Sequence, residues 1–315
     1  MKVRKILLAI DGSVYSQQAA DVAWSIAIMT GASVTAMHVI DTASVIDLIG
    51  HVDAGFLDVA DYKEERGAIV RAITSASNKL VQKYAQAARQ HGIEVHTVVE
   101  NGNPADVLCA AAREADLLVM GHKPYVPNER DRFHRQLMRM SVAEYLSETI
   151  NVPLLVVQAA RTEWKSMTVM SSLDHVNRAY IDSCVEFGKQ LDIQPLLVCL
   201  STTNVEEPPT ELINDFRESD SALKDIPIAV TGMEELRDRQ YEVWDNPTLS
   251  EAWDEWGSTL LAMPTRPVPG RRLTVADGSP SRFIRYSTQP AVLFYPEESV
   301  PARSPQVKSY LFTSS

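Results

Sequence analysis

The stretch NPADVLCAAAREADLLVMG, Asn103 to Gly121, writes out a helix start and the strand that follows it. Asn103 offers a side-chain oxygen to the exposed N–H groups of a first turn. Pro104 fits the first helical position because its missing N–H has no partner to lose, and Asp106 adds negative charge where the helix dipole favours it. LLVM (117 to 120) is then an unbroken apolar run. It lacks the in/out alternation of a half-solvated strand, so it calls for cover on both faces, as in a parallel sheet with helical crossovers.

Working outward, KILLAI (5 to 10), VTAMHVI (34 to 40) and PLLVV (153 to 157) are runs of the same kind. Between the first two, Ala19, Val22, Ala23, Ile26 and Ala27 recur at helical spacing, and Gly31 is placed to end that helix. A longer helix is expected over about 62 to 91, stopping near Gly92, with EVHTVVE (94 to 100) as the next strand. The order is βαβ followed by αβαβαβ. Such alternation predicts an open parallel sheet with right-handed crossovers and a ligand crevice beyond the carboxyl ends of its strands.

The opening stretch also overlies a later one without a gap: NPTLSEAWDEWGSTLLAMP (246 to 264) repeats the Asn-Pro start and the apolar run. In the same way LLAIDGS (7 to 13) falls on TVMSSLD (168 to 174) when TGASVTAMHV (30 to 39) is laid on LDIQPLLVCL (191 to 200). SVAEYLSETINVPLLVV (141 to 157) falls on SPSRFIRYSTQPAVLFY (279 to 295), one residue shorter before the proline. Two copies of one α/β unit in tandem are therefore expected, 1–160 and 161–296, with a Pro/Ser-rich tail at 297–315 that reads as an arm or a disordered end. IPIAV (226 to 230) and QYEVW (240 to 244) compete for the third strand of the second copy; the latter is favoured because it keeps the gapless spacing to Asn246.

Composition narrows function by exclusion. The 315 residues are 45% hydrophobic and 23% charged with a formal net charge of -11, which argues against coating nucleic acid or an anionic membrane. MKVRKILLAI ends its apolar run at Asp11, and no stretch has the length of a membrane helix. Cys109, Cys184 and Cys199 form no CxxC pair, so a reduced cytoplasmic setting is expected. The seven histidines show no metal-ligand spacing, and no G-x-S-x-G elbow, P-loop or GxGxxG is present, so neither a metal site nor an enzyme is expected.

KILLAIDGS, the Asn-Pro helix start, LLVMG and the closing VPLLVV unit resemble the universal stress protein family in its tandem form, clearly over 1 to 158 and weakly over 165 to 296. The resemblance implies a five-stranded Rossmann-like parallel sheet in each copy. It further implies docking of the two final strands, PLLVVQ against AVLFYP, as an internal pseudo-dimer, with a homodimer as a further possibility. Nucleotide-binding members hold ATP with an acid after the first strand and a Gly-x-x-Gly-x9-Gly-Ser/Thr motif after the fourth. Asp11 matches the acid and Gly121 the first glycine, but Pro124 stands at the second. The last pair becomes Met140-Ser141 after a loop about six residues too long. In the second copy Ser172 replaces the acid, Pro264 and Pro267 replace the early glycines, and Gly278-Ser279 survives.

Proline donates no N–H to a phosphate cradle, so these departures weaken the motif. What remains is Gly121, Ser141 at a helix start, and a loop rich in cations: Lys123, Arg130, Arg132, Arg135 and Arg139. Arg266, Arg271, Arg272, Arg282 and Arg285 form a second cluster around Gly278 and Ser279. The expected ligand is an adenine nucleotide (ATP, ADP or AMP) or another small phosphorylated anion, held better in the first copy. The alternative is a nucleotide-free scaffold that binds a protein partner. Each residue also has a purely structural reading: Asp11 as a cap, Ser141 with Glu144 as a capping box, the basic loop as a solvated surface, and Gly278-Ser279 as a helix start.

Overall fold

The computed structural model describes residues 1–41, 59–123, 140–159, 164–173, 176–201, 209–218, 226–232, 259–265, 280–286, 289–296 and 307–308. Its first half runs β1 (Lys5–Ala9), α1 (Val14–Thr30), β2 (Ser33–Ile40), α2 (Val59–Gln90), β3 (Val95–Asn101), α3 (Pro104–Ala112), β4 (Leu117–Gly121), α4 (Val142–Thr149) and β5 (Leu154–Val157). The second runs β6 (Met167–Ser172), β7 (Val176–Asn177), α5 (Arg178–Gln190), β8 (Pro195–Ser201), α6 (Thr210–Arg217), β9 (Ile228–Gly232), β10 (Leu260–Thr265), α7 (Pro280–Tyr286), β11 (Ala291–Pro296) and β12 (Val307–Lys308).

The helix boundaries have local causes. Ser13 caps α1 by accepting from Ser16 N, and Gly31 closes it in the left-handed conformation at φ 70°. Asn103 caps α3 by accepting from Ala105 N and Asp106 N, with Pro104 next. Ser141 and Glu144 form the reciprocal capping box that starts α4.

Ten strands make one sheet in the order β3-β2-β1-β4-β5-β11-β10-β6-β8-β9. Every neighbouring pair is parallel except the central one, where β5 and β11 run antiparallel with Val157 opposite Ala291 and Leu154 opposite Phe294. This is the expected edge-to-edge docking, and it buries two apolar edges that would otherwise stand open. Register repeats across that join. Ile6 faces Val34 and Leu117 in the first half; Met167 faces Pro195 and Leu260 in the second, as the gapless overlays require.

Strand side chains divide between two cores. Ile6 and Leu8 join α1, α2, α5 and α6 on one face, where Trp24, Tyr84, Tyr180 and Phe187 are buried. Leu7 and Ala9 join α3, α4 and α7 on the other, with Leu108, Leu146 and Ile284. Burial on both faces is why the strands read as continuous apolar runs.

One expectation needs correcting. The third strand of the second half is β9, paired with β8 from Leu197–Ile228 to Ser201–Gly232, and not QYEVW, which lies outside the described residues. The gapless rule failed because the stretch between third and fourth strands is longer here, Gly232 to Leu260, than in the first half, Asn101 to Leu117. Within the tail, Val307–Lys308 forms β12 and pairs antiparallel with β7, as an arm would.

Candidate functional site

In the first half the strand order reverses between β1 and β4, so the crevice opens beyond their carboxyl ends. A cavity of about 160 Å³ lies there, lined by Ile10, Asp11, His38, Pro104, Gly121 and Val142 among others. Of the expected site residues, Asp11 and Gly121 are brought together at this cavity.

Asp11 stands exposed at the mouth. Its Oδ1 accepts from Ser13 N at 2.9 Å, so it braces the turn through Gly12 (φ 83°) while Ser13 does the capping. Partial burial opposes its charge, but hydrogen bonds from Ser13 and Ser16 outweigh that and hold the carboxyl below its ordinary range. The result is an ionised acceptor facing the crevice.

Gly121 is required by a close approach, though to the chain itself. A Cβ there would collide with the Tyr15 carbonyl and come within 2.7 Å of Ser16 N, at the first turn of α1. The glycine thus lets β4 and α1 pack tightly beside the crevice.

Ser141 has its polar groups engaged within the chain. Its N–H donates to Glu144 Oε2 at 2.8 Å, and its hydroxyl oxygen accepts from Glu144 N at 3.2 Å and lies 3.3 Å from His122 Nδ1. These contacts form the capping box that starts α4.

Arg285, expected in the second cationic cluster, is also committed elsewhere. It reaches across the join between halves and clasps Glu144, Nε to Oε1 at 2.8 Å and Nη2 to Oε2 at 2.6 Å, with both side chains buried. Glu148 Oε1 accepts from Ser281 N at 2.8 Å in the same contact between α4 and α7. Arg130, Arg132, Arg135, Arg139, Gly278 and Ser279 lie outside the described residues.

Three groups were missed by sequence reasoning. His38 lines the cavity with Nδ1 2.8 Å from the Ile10 carbonyl, which places the proton on Nδ1 and leaves Nε2 an acceptor in the neutral ring. Ser16 Oγ and Tyr84 OH share a buried 2.7 Å hydrogen bond that ties α1 to α2 just behind Asp11. His122 is buried at the end of β4 with Nε2 3.9 Å from Glu144 Oε1. Burial, only partly offset by Glu144 and reinforced by Arg285, lowers its pKa, so the ring is neutral at pH 7.

Together these features define an open α/β protein with a small acid-marked crevice at the topological switch point of its first sheet half. Comparison with known proteins gives that class a name. Residues 2–158 match the universal stress protein family, and the chain belongs to that family. It is 28% identical over 162 residues to a universal stress protein of Methanocaldococcus jannaschii, covering 51% of this chain and 85% of the relative. Universal stress protein YxiE of Bacillus subtilis is 26% identical over 160 residues, covering 49% of this chain and 98% of the relative. The crystal structure of a universal stress protein from Archaeoglobus fulgidus superposes with a TM-score of 0.62 at 16% identity, covering 94% of this chain and 97% of that one. At that identity the likeness establishes the fold, and it extends across both halves. Among the described residues no helix is long and apolar enough to cross a membrane.

Proposed function

We propose that the chain is a non-catalytic binding protein of the stress response whose first half takes the adenosine end of an adenine nucleotide in the crevice at Asp11. Two copies of the family domain, 1–160 and a divergent 161–296, with the tail 297–315 appended, form its internal pseudo-dimer. The observation that carries the reading is the cavity itself, where the ionised Asp11, the ring of His38 and the backbone at Gly121 converge at the switch point of a family sheet.

Fit to the nucleotide is uneven. Asp11 can accept hydrogen bonds from ribose hydroxyls, and apolar Ile10, Met37, Val39 and Leu108 can flank a flat base. Among the described residues the phosphate end is poorly provided, because Ser141 spends its N–H and hydroxyl on Glu144 and His122. The cavity is also smaller than the roughly 300 Å³ at which ligand pockets begin. Binding should therefore be weak, with adenosine, AMP and ATP held within about tenfold of one another.

Titration calorimetry with ATP, ADP, AMP and adenosine tests this, using Asp11→Ala as the control. Loss of a charge-assisted acceptor should weaken all four ligands by about 1.5 to 3 kcal/mol. If millimolar concentrations of all four neither release heat nor raise the melting temperature of the unaltered chain, the nucleotide reading gives way to a scaffold that binds protein partners.

A further inference from the structure

Two features coincide at the outer end of the first half. β3 is a terminal strand of the sheet, and among the described residues it pairs with β2 alone. None of its seven residues is buried, whereas four of the five in β4 are. Its sequence, VHTVVEN, is rich in β-branched residues and carries a single carboxylate, Glu100, with no lysine and no proline. Lysine, proline or a very short length would blunt such an edge, and β3 has none of these. Alternate residues of a terminal strand turn main-chain N–H and C=O groups outward, where another extended segment can take them.

Over that strand lies α2, with Val81, Tyr84 and Ala88 buried in the core that Val95 and Val99 of β3 pack against. Its solvent face is cationic. Arg71, Lys79, Lys83 and Arg89 are all exposed, and they fall within an arc of about 120° around the helix axis. From Gly67 to Ile93 the sequence contains no Asp or Glu, in a chain that has 41 of them. The fold does not require this. α6, which joins β8 to β9 as α2 joins β2 to β3, carries Glu211 and Asp215 beside Arg217.

We infer that β3 and α2 together form a docking surface for an extended acidic segment of another protein, which adds to the sheet beside β3 and turns its carboxylates toward α2. The spacing suits such a segment. Lys79, Lys83 and Arg89 step along α2 by about 6 and 9 Å, and side chains on one face of an added strand recur about every 6.6 Å. The chain turns at His91 and Gly92 and runs back beneath α2 as β3, so these cations accompany the strand. Main-chain pairing supplies affinity, and the cations select the charge of the partner. A second copy of this chain fits less well, because antiparallel pairing of β3 with itself would bring two cationic α2 helices side by side on one face of the sheet. Nucleic acid has no peptide main chain with which to extend a sheet.

Fluorescence anisotropy with a labelled peptide of alternating Glu and Val, together with hydrogen–deuterium exchange over 94–101, tests the inference on the full chain without nucleotide. The peptide should bind and slow exchange over 94–101, and Lys79→Glu/Lys83→Glu should weaken binding by about tenfold or more. Both positions are exposed, so the melting temperature of that double variant should match the unaltered chain. Two N-methylated peptides separate pairing from charge and need no variant. Methylating every second amide removes the donors that face β3 in one form and spares them in the other, so only one form should bind. Unchanged exchange over 94–101 at millimolar peptide, or equal binding of both methylated forms, overturns the inference. Equal binding of a peptide with Lys in place of Glu, or tighter binding of a single-stranded oligonucleotide, overturns it as well. No readout involves the first crevice, so failure there to bind a nucleotide would leave this result standing.

Discussion

Arg285→Met should be among the most damaging single substitutions in the chain, although Arg285 lies far in sequence from the Glu144 it clasps. The change leaves the Glu144 carboxylate buried without its guanidinium. Removing one partner of a buried pair costs about 3 to 5 kcal/mol, because a charge is stranded out of water. Glu144 keeps the Ser141 N–H at 2.8 Å, which argues for the lower end, about 3 kcal/mol. With a urea slope of about 3 kcal/mol/M, that lowers the unfolding midpoint by about 1 M. Glu144→Gln retains an acceptor for the capping box but strands the guanidinium, and should cost a comparable amount. The double variant should recover most of the loss, giving a coupling energy of at least about 2 kcal/mol in a double-mutant cycle. His122 provides an independent readout. Arg285 pushes its pKa down and Glu144 pulls it up, so Arg285→Met should raise it, as measured by NMR titration of the ring. Additive single effects, or a His122 titration that stays in place, would refute the account of this cluster.

His122 itself makes stability pH-dependent. Its folded pKa lies below the unfolded value of 6.5, so the unfolded chain binds more protons at mildly acid pH. The contribution is fully present above pH 6.5 and is lost as pH falls toward the folded pKa; His122→Gln should flatten the urea midpoint against pH in that window, and an unchanged profile would exclude the histidine. Gly121→Ala should destabilise by about 1 to 3 kcal/mol or more by pushing the first turn of α1 from β4, and an unaltered midpoint would show that α1 yields freely.

The α/β alternation, the caps at Asn103 and Ser141, the helix end at Gly31 and the docking of β5 on β11 were all legible in the sequence, because each rests on local residue types or on a strict period. The third strand of the second half was not, since a spacing rule cannot foresee an insertion. Gly121 was read as the first glycine of a phosphate motif; spacing does not say what approaches it, and in the structure the backbone of Tyr15 does. The clasp between Glu144 and Arg285 joins residues 141 apart on different sheet halves. Nothing in the neighbourhood of either residue announces it. Ser141 shows the same limit on a smaller scale: the capping box was foreseen, while the approach of its hydroxyl to His122 became visible only in the fold.

The antiparallel join of β5 to β11 turns an encounter between molecules into one within a molecule. A pair of separate subunits meeting by such strands would come apart on dilution, and its stability would depend on protomer concentration. Tethered halves meet at a fixed effective concentration instead. Each half can then tolerate substitutions that would abolish self-association of a free subunit, because its partner is always present and need not be identical. Glu144 on one side and Arg285 on the other is such an asymmetric solution, one that two copies of a single chain could form only by carrying both residues.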